Sequence, residues 1–162
     1  MLTQSKLKDE LSYDKVTGKF TRLKDKGRLS KKGDIAGTLG SLGYIIIKIQ
    51  GKAYKAHRLA WLYIYGKFPN KNLDHINGIK DDNRLENLRE CTQQENCYNR
   101  VARTGSKSGI KNVCWHKRTK TWHVVLSFKG KSFFIGQFKD IELAELVAIE
   151  ARIKYHKEYA RL

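Results

Sequence analysis

Short apolar runs separated by turn residues fill the first seventy residues and predict a small sheet or hairpin there. The clearest strand is the β-branched run at residues 44–49, which a turn at residues 50–52 reverses. Apolar residues at helical spacing predict a helix over residues 56–66, because Gly66 and then Pro69 end the pattern.

A second group of elements is predicted near the end of the chain. Three β-type runs occupy residues 111–115, 121–128 and 132–138, and turn residues join them. The middle run alternates so that one of its faces is wholly apolar and needs a cover. A final helix after Asp140 supplies that cover through an apolar stripe formed by Ala144, Val147, Ala148, Ala151 and Tyr155.

The polar residues with the most chemical content lie between these groups. Asp74 and His75 follow an apolar residue and precede the turn signal Asn77-Gly78, which places both near the end of a short strand. Neighbouring strand residues point to opposite faces. One of the two side chains can therefore hold a metal while the other approaches a substrate.

A capped helix follows this strand. Thr92 and Glu95 form a capping box, and Asn96 falls one turn inside the helix. The Asn96 amide and the Asp74 carboxylate are hard oxygen ligands, which suit Mg²⁺ or Mn²⁺ better than zinc. Two protein ligands leave room for water and phosphate oxygens, so the pattern predicts an open, catalytic kind of site.

These motifs resemble a known nuclease core. Asp74-His75, the segment NRLENLR at residues 83–89 and Asn96 together resemble the ββα-metal core of HNH endonucleases, in the phage and intron-encoded homing type whose last histidine is an asparagine. The resemblance implies that His75 is the general base, that Asp74 and Asn96 bind the metal, and that Asn87 braces the loop. An imidazole with an ordinary pKa of roughly 6.5 can deprotonate water at neutral pH.

Two neighbouring features are interpreted as structural. Asp81 and Asp82 lack the glycine and distal glutamate of a calcium loop, so a solvated turn is predicted there. His57 is interpreted as a packing or phosphate-contacting residue, because nothing in the sequence places it beside His75.

Composition narrows the class of partner. The 162 residues carry a formal net charge of +17, which favours a polyanion, and nucleic acid fits better than a membrane because long apolar runs are absent. The three cysteines form no CxxC pair, so neither a disulfide framework nor a zinc ribbon is predicted. The polar beginning of the chain shows no signal peptide, and a reducing, cytoplasmic setting is expected.

The end of the chain has a resemblance of its own. Residues 110–162 are similar to the AP2 DNA-binding domain through Val113-x-Trp115, Lys120-x-Trp122 and Ile135-Gly136-x-Phe138. In that family a three-stranded sheet lies in the major groove with a helix behind it. The resemblance implies DNA contacts by outward side chains and turn cations, namely His116, Lys117, Arg118, Lys120, His123, Ser127, Lys129 and Lys131. Several outward places that usually hold Arg or Glu hold Cys, Val or Ser, which argues against strong sequence discrimination.

The sequence thus predicts an α+β protein. Residues 1–103 form an HNH endonuclease domain with a β-rich N-terminal region and a ββα-metal core at residues 71–103. A linker at residues 104–109 leads to the AP2-like domain at residues 110–162. The predicted function is hydrolysis of phosphodiester bonds in double-stranded DNA by a phage homing endonuclease that depends on Mg²⁺ or Mn²⁺, in the cytoplasm of a bacterial host. The sequence does not fix the oligomeric state, and a monomer is favoured. Two alternatives stay open: a DNA-binding regulator whose HNH fold is inert, and a degradative nuclease without a target site.

Overall fold

The computed structural model of the protein describes residues 1–161 and shows a mixed α/β architecture. Within those residues it contains four small antiparallel sheets and four α-helices, which divide into two compact units, Met1–Cys91 and Thr92–Leu162. The linker predicted at residues 104–109 falls inside the second unit. None of the helices described combines the length and apolar character that crossing a bilayer requires.

The first unit holds three of the sheets and two of the helices. Its helices are α1 (Gln4–Glu10) and α2 (Ala56–Tyr65). Its sheets are formed by β1 (Leu11–Tyr13), β2 (Phe20–Arg22) and β3 (Ile35–Ala36); by β4 (Thr38–Leu39), β5 (Ile45–Ile49) and β6 (Lys52–Lys55); and by β7 (Asn72–His75) and β8 (Leu88–Cys91).

Local signals in the sequence placed several of these elements correctly. The β5–β6 hairpin is confirmed, and its turn residues Gln50 and Gly51 both have positive φ, at 48° and 77°. The helix α2 is also confirmed. Gly66 ends it in the left-handed conformation at φ 73°, and its N–H donates to Leu62 O at 3.0 Å.

The helix α1 contradicts the prediction that the first seventy residues hold only strands, turns and the helix at residues 56–66. The Thr3 side chain caps α1 by accepting from the Lys6 N–H at 3.4 Å. Leu7 is the one residue of α1 that is fully buried, and Leu11 follows it into the core. A seven-residue helix with one buried side chain leaves too little periodicity for a sequence pattern to reveal.

One hydrophobic core joins α1 and α2 to the first two sheets. Its fully buried members come from both helices and both sheets and include Leu7, Leu11, Phe20, Ile47, Ile49, Leu59 and Leu62. Phe20 contacts two further rings, with centroids 4.8 Å from Tyr13 and 6.2 Å from Tyr63. The β7–β8 sheet adds Leu88 to this core, which fixes β8 against the rest of the unit.

The second unit contains the remaining sheet and helices. Its elements are α3 (Gln93–Tyr98), β9 (Val113–His116), β10 (Thr121–Phe128), β11 (Lys131–Phe138) and α4 (Ile141–His156). The capping box of Thr92 and Glu95 at the start of α3 is confirmed, and so is Asp140 as the N-cap of α4. The sheet has the order β11-β10-β9, and α4 covers one of its faces with Ala144 and Ala148 against Val113 and Val124.

The predicted stripe of α4 needs one correction. Tyr155 is 37% exposed, and the buried residues at this end of the helix are Arg152 and His156. One nitrogen of each side chain meets a backbone carbonyl, because Arg152 Nη1 donates to Lys111 O at 2.8 Å and His156 Nε2 lies 2.9 Å from Ser127 O. A long or aromatic polar side chain can be buried when its polar end finds such a partner.

Replacing Phe20 with alanine tests the first core. Phe20 is 1% exposed, so Phe20→Ala should lower the free energy of unfolding by about 3–5 kcal/mol through lost burial and a cavity. Leu29→Ala is the control, because Leu29 is 96% exposed and its loss should cost less than about 0.5 kcal/mol. Equal losses in denaturant titrations of the two variants would contradict this description of the core.

Candidate active site

The first feature of the site is an ion pair at the end of β7. Asp74 and His75 are the last two residues of β7 and are only 6% and 5% exposed. Arg89 lies opposite Asp74 on β8, and its Nε and Nη2 donate to Asp74 Oδ2 at 3.0 and 2.8 Å. The cation offsets the cost of burying the carboxylate and fixes its orientation. The predicted location of Asp74 and His75 at a strand end is confirmed.

The loop after β7 is held by side-chain amides. Asn87 Oδ1 accepts from the Asn77 N–H at 3.0 Å, and Asn87 Nδ2 donates to Asp82 O at 2.9 Å. Asn87 therefore bridges the two sides of the loop. The turn itself closes with the Gly78 N–H donating to His75 O at 2.8 Å, and of the Asn77-Gly78 pair only Gly78 adopts positive φ.

Asp82 is part of this scaffold, which corrects its interpretation as a solvated residue. Its carboxylate accepts from Asn77 Nδ2 at 2.7 Å and from Arg84 Nε and Nη2, each at 2.8 Å. The hydrogen bonds from Arg84 lower the pKa of Asp82 to about 2, and the bond from Asn77 acts in the same direction.

The N-terminal hairpin supports the same loop. Tyr13 Oη donates to Asn83 O at 2.7 Å, and burial raises the pKa of Tyr13 to about 12, so this hydroxyl keeps its proton. Gly18 allows the loop to approach closely, because a Cβ there would lie 2.5 Å from Arg84 N and 2.6 Å from Asn83 C. The short strands at the start of the chain thus support the loop in which the segment NRLENLR begins.

The electrostatics of His75 favour its neutral form. Burial lowers the pKa of His75, since the imidazolium ion would lose its hydration. A hydrogen bond with Asn83 and the charges of Asp74, Asp82 and Asp81 act in the opposite direction and limit the shift. An imidazole whose pKa lies below the ordinary value is unprotonated at neutral pH and can accept a proton.

His57 is buried and packs against other rings, in agreement with its interpretation as a packing residue, but it lies beside His75, which the sequence did not indicate. The two rings are 5.0 Å apart between centroids and nearly perpendicular, at 87°. Tyr44 contacts both rings, with centroids 5.3 Å from His57 and 6.0 Å from His75. The contact joins α2 to β7 across 18 positions of the chain, and no local motif in the sequence signals it.

Asn96 lies in the second unit and is described there. It is half-buried in α3, where its N–H donates to Thr92 O at 3.0 Å. Its role as a metal ligand stays a prediction. Within residues 1–161, no group of three or more histidine, cysteine, aspartate or glutamate side chains is arranged to hold a metal ion.

The predicted DNA-contacting residues occupy the sheet of the second unit. On the face away from α4, the rings of His116 and His123 stack with centroids 4.3 Å apart. Thr119 Oγ1 lies 2.8 Å from His116 Nδ1 and 3.3 Å from His123 Nε2, and Phe134 packs on His123 at 5.2 Å. These side chains form one ordered polar and aromatic patch.

The predicted turn cations are exposed. They lie at or beside the two turns of the sheet and comprise Lys117, Arg118, Lys120, Lys129 and Lys131. Ser127 is exposed as well and faces Ser132 across β10 and β11, with hydroxyl oxygens 3.4 Å apart. Lys129 and Gly130 have φ values of 49° and 74°, in a turn where a lysine is less favourable than asparagine or glycine.

Comparison with known proteins gives the family. A family model described as HNH endonuclease matches residues 54–98. Over 113 residues the chain is 30% identical to Protein 3.8 of Escherichia phage T7. That alignment covers 68% of this chain and 91% of the phage protein. The chain belongs to the family of this phage protein and contains an HNH endonuclease domain.

A solved structure is also similar in part. It is that of the HNH homing endonuclease I-HmuI, described as binding and cleaving DNA, with 26% identity and a TM-score of 0.40. The match covers 54% of this chain and 49% of the other, so the chain spans about half the length of that protein.

The buried ion pair can be tested through stability. Arg89→Met removes the cation beside a buried carboxylate and should lower the free energy of unfolding by about 3 kcal/mol or more. Arg84→Met is the matched control, because the Arg84 side chain is 39% exposed and solvent weakens its ion pairs, so its loss should cost much less. Similar denaturant midpoints for the two variants would argue against a structural role for the Asp74–Arg89 pair.

Proposed function

We propose that the protein is a metal-dependent endonuclease that hydrolyses phosphodiester bonds in double-stranded DNA, as a phage homing endonuclease. The observation that carries the proposal is the buried Asp74–His75 pair at the end of β7, inside the matched HNH domain. A carboxylate and a neutral imidazole are the hard ligand and the base that this chemistry needs. The net charge of +17 suits a DNA substrate.

Each residue of the site then has a role. His75 accepts the proton of the attacking water, while Arg89 orients Asp74 and Asn87 holds the loop. The Asp74 carboxylate fits a divalent ion, because it is a hard oxygen donor with a fixed orientation. Mg²⁺ or Mn²⁺ bound there would stabilise the charge that develops on the phosphate and the leaving oxygen. Asn96 as a second ligand is part of the proposal and rests on the sequence.

Removing the imidazole tests the assignment of the base. His75→Ala should cut supercoiled DNA at least about a hundredfold more slowly than the wild type in Mg²⁺, because general-base catalysis contributes that much. Its affinity for DNA in a gel-shift titration should not change. Leu29→Ala is the control, because Leu29 is exposed and lies outside the site, and it should cut at the wild-type rate.

The alternatives give different results in the same assay. Cutting by His75→Ala at the wild-type rate, or by the wild type in excess chelator, would refute the proposed chemistry. Binding of DNA without cutting in either metal would support the inert regulator. On long DNA, a few discrete bands support a homing endonuclease, whereas a smear supports a degradative nuclease.

The second unit is proposed to hold the DNA, in the manner of the AP2 domain that its sequence resembles. Its support is a three-stranded sheet backed by α4, with exposed cations at both turns. Cations on mobile side chains at turns suit contacts with phosphates, which contribute affinity without reading bases. The patch of His116, His123 and Phe134 on the outer face is available for contacts with the grooves.

A substitution at Lys129 distinguishes an effect on DNA binding from an effect on folding. Asparagine tolerates positive φ, so Lys129→Asn should keep or slightly raise stability while it removes one cation. Affinity for DNA should fall at low salt, and the slope of log affinity against log salt should flatten by about one. Lys157→Asn removes the same charge at another residue with positive φ, 52°, outside the predicted contacts, and should change the slope less. Equal effects on binding would contradict the assigned contact.

A further inference from the structure

We propose that His57 is a positioning residue that holds the imidazole of His75 in the orientation needed to accept a proton. It does this by packing of its ring and does not transfer a proton itself. The inference rests on the proposed function, because it assigns a role beside the proposed base.

The geometry of the two rings carries the proposal. His57 is the second residue of α2 and His75 is the last residue of β7, and both are buried. Their centroids are 5.0 Å apart and their planes cross at 87°, which is an edge-to-face arrangement. Such pairs contribute about 0.5–1.5 kcal/mol beyond the burial of their surface and depend on orientation. His57 therefore restricts the angle that the His75 ring can take.

Tyr44 completes a cluster of three rings. It lies 5.3 Å from His57 and 6.0 Å from His75 between centroids. Two ammonium groups lie over the Tyr44 ring, Lys55 Nζ at 4.2 Å and Lys80 Nζ at 5.3 Å from its centroid. Lys80 Nζ also donates to Leu42 O at 3.0 Å. These cation–π contacts hold Tyr44 in place, so His75 packs against two rings that are themselves constrained.

His57 itself is poorly suited to proton transfer. Burial lowers its pKa to about 3, and the neighbouring His75, Lys55 and Arg58 act in the same direction. A base this weak stays unprotonated throughout the range in which the site would work. Its Nδ1 is buried without a hydrogen-bond partner among residues 1–161, whereas a catalytic histidine is ordinarily oriented by such a partner. The packing of the ring is what remains for His57 to contribute.

Orientation matters to a base because proton transfer requires hydrogen-bond geometry. A lone pair that points away from the attacking water for much of the time lowers the rate without changing how DNA is bound. Loss of the ring at position 57 should therefore affect the rate constant of cutting and leave the dissociation constant unchanged. A general structural defect would change both.

Two substitutions at position 57 distinguish the contribution of the aromatic ring from that of side-chain size. His57→Leu keeps a buried side chain of similar size without a ring, and His57→Phe keeps a ring without nitrogen. In single-turnover cutting of supercoiled DNA at saturating protein and Mg²⁺, His57→Leu should be about tenfold slower than the wild type. His57→Phe should stay within about threefold of the wild type. Both should bind DNA in gel-shift titrations with the wild-type dissociation constant.

A second measurement does not depend on cutting. In metal-free protein labelled at histidine and tyrosine, a ring-to-ring nuclear Overhauser effect between His75 and Tyr44 reports the orientation of His75. The effect should persist in His57→Phe and be lost in His57→Leu. Tyr44→Leu should slow cutting as His57→Leu does. Because Tyr44 is only half-buried, this variant replaces those at position 57 if neither of them folds.

The outcomes that overturn the inference are distinct from those that overturn the proposed function. A His57→Leu protein that cuts as fast as the wild type, or a His57→Phe protein as slow as His57→Leu, would overturn it. So would wild-type cutting by Tyr44→Leu. If the wild type does not cut DNA at all, the proposed function fails, and the Overhauser effect alone decides whether His57 orients His75.

Discussion

The burial of one carboxylate governs the candidate active site. Asp74 is almost fully enclosed at the end of β7, and a charge in that position requires a partner. Arg89 is that partner and lies directly opposite on β8. A shift of the pairing by one residue would leave the carboxylate without its cation and would turn His75 to the other face. The ion pair therefore fixes the register on which the rest of the site depends.

The polar loop and the ring cluster follow from that register. Because β7 and β8 are paired in this way, Asn87 reaches across the loop to Asn77 and Asp82. In that arrangement His75 lies against His57 at the start of α2, and both side chains are buried. Burial lowers the pKa of His75, while a hydrogen bond with Asn83 and the nearby carboxylates act in the opposite direction. For His57, burial and the neighbouring charges all act together and lower the pKa to about 3. One site thus contains two histidines with different properties.

The features that the sequence revealed are those with local causes. The turn of the β5–β6 hairpin, the end of α2 at Gly66 and the capping box at Thr92 each depend on a few adjacent residues. The missed features depend on long-range pairing. Arg89 meets Asp74 only once β7 and β8 are in register, and His57 meets His75 only once α2 packs beside β7. At the end of α4, Tyr155 looked apolar enough to be buried. Arg152 and His156 are buried there, and each has one nitrogen paired with a distant backbone carbonyl, at Lys111 and Ser127 respectively.

The most direct test of the proposed catalytic centre is to locate the metal in the protein. Fe²⁺ in place of Mg²⁺, with ascorbate and peroxide, generates hydroxyl radicals that cut the polypeptide close to the bound ion. If Asp74 holds the metal, the backbone should be cut near Asp74 and its strand partner Arg89, and this scission should be suppressed by excess Mg²⁺ and absent in Asp74→Asn. Scission confined to other parts of the chain, or a pattern unchanged in Asp74→Asn, would contradict the claim that the end of β7 is the catalytic centre.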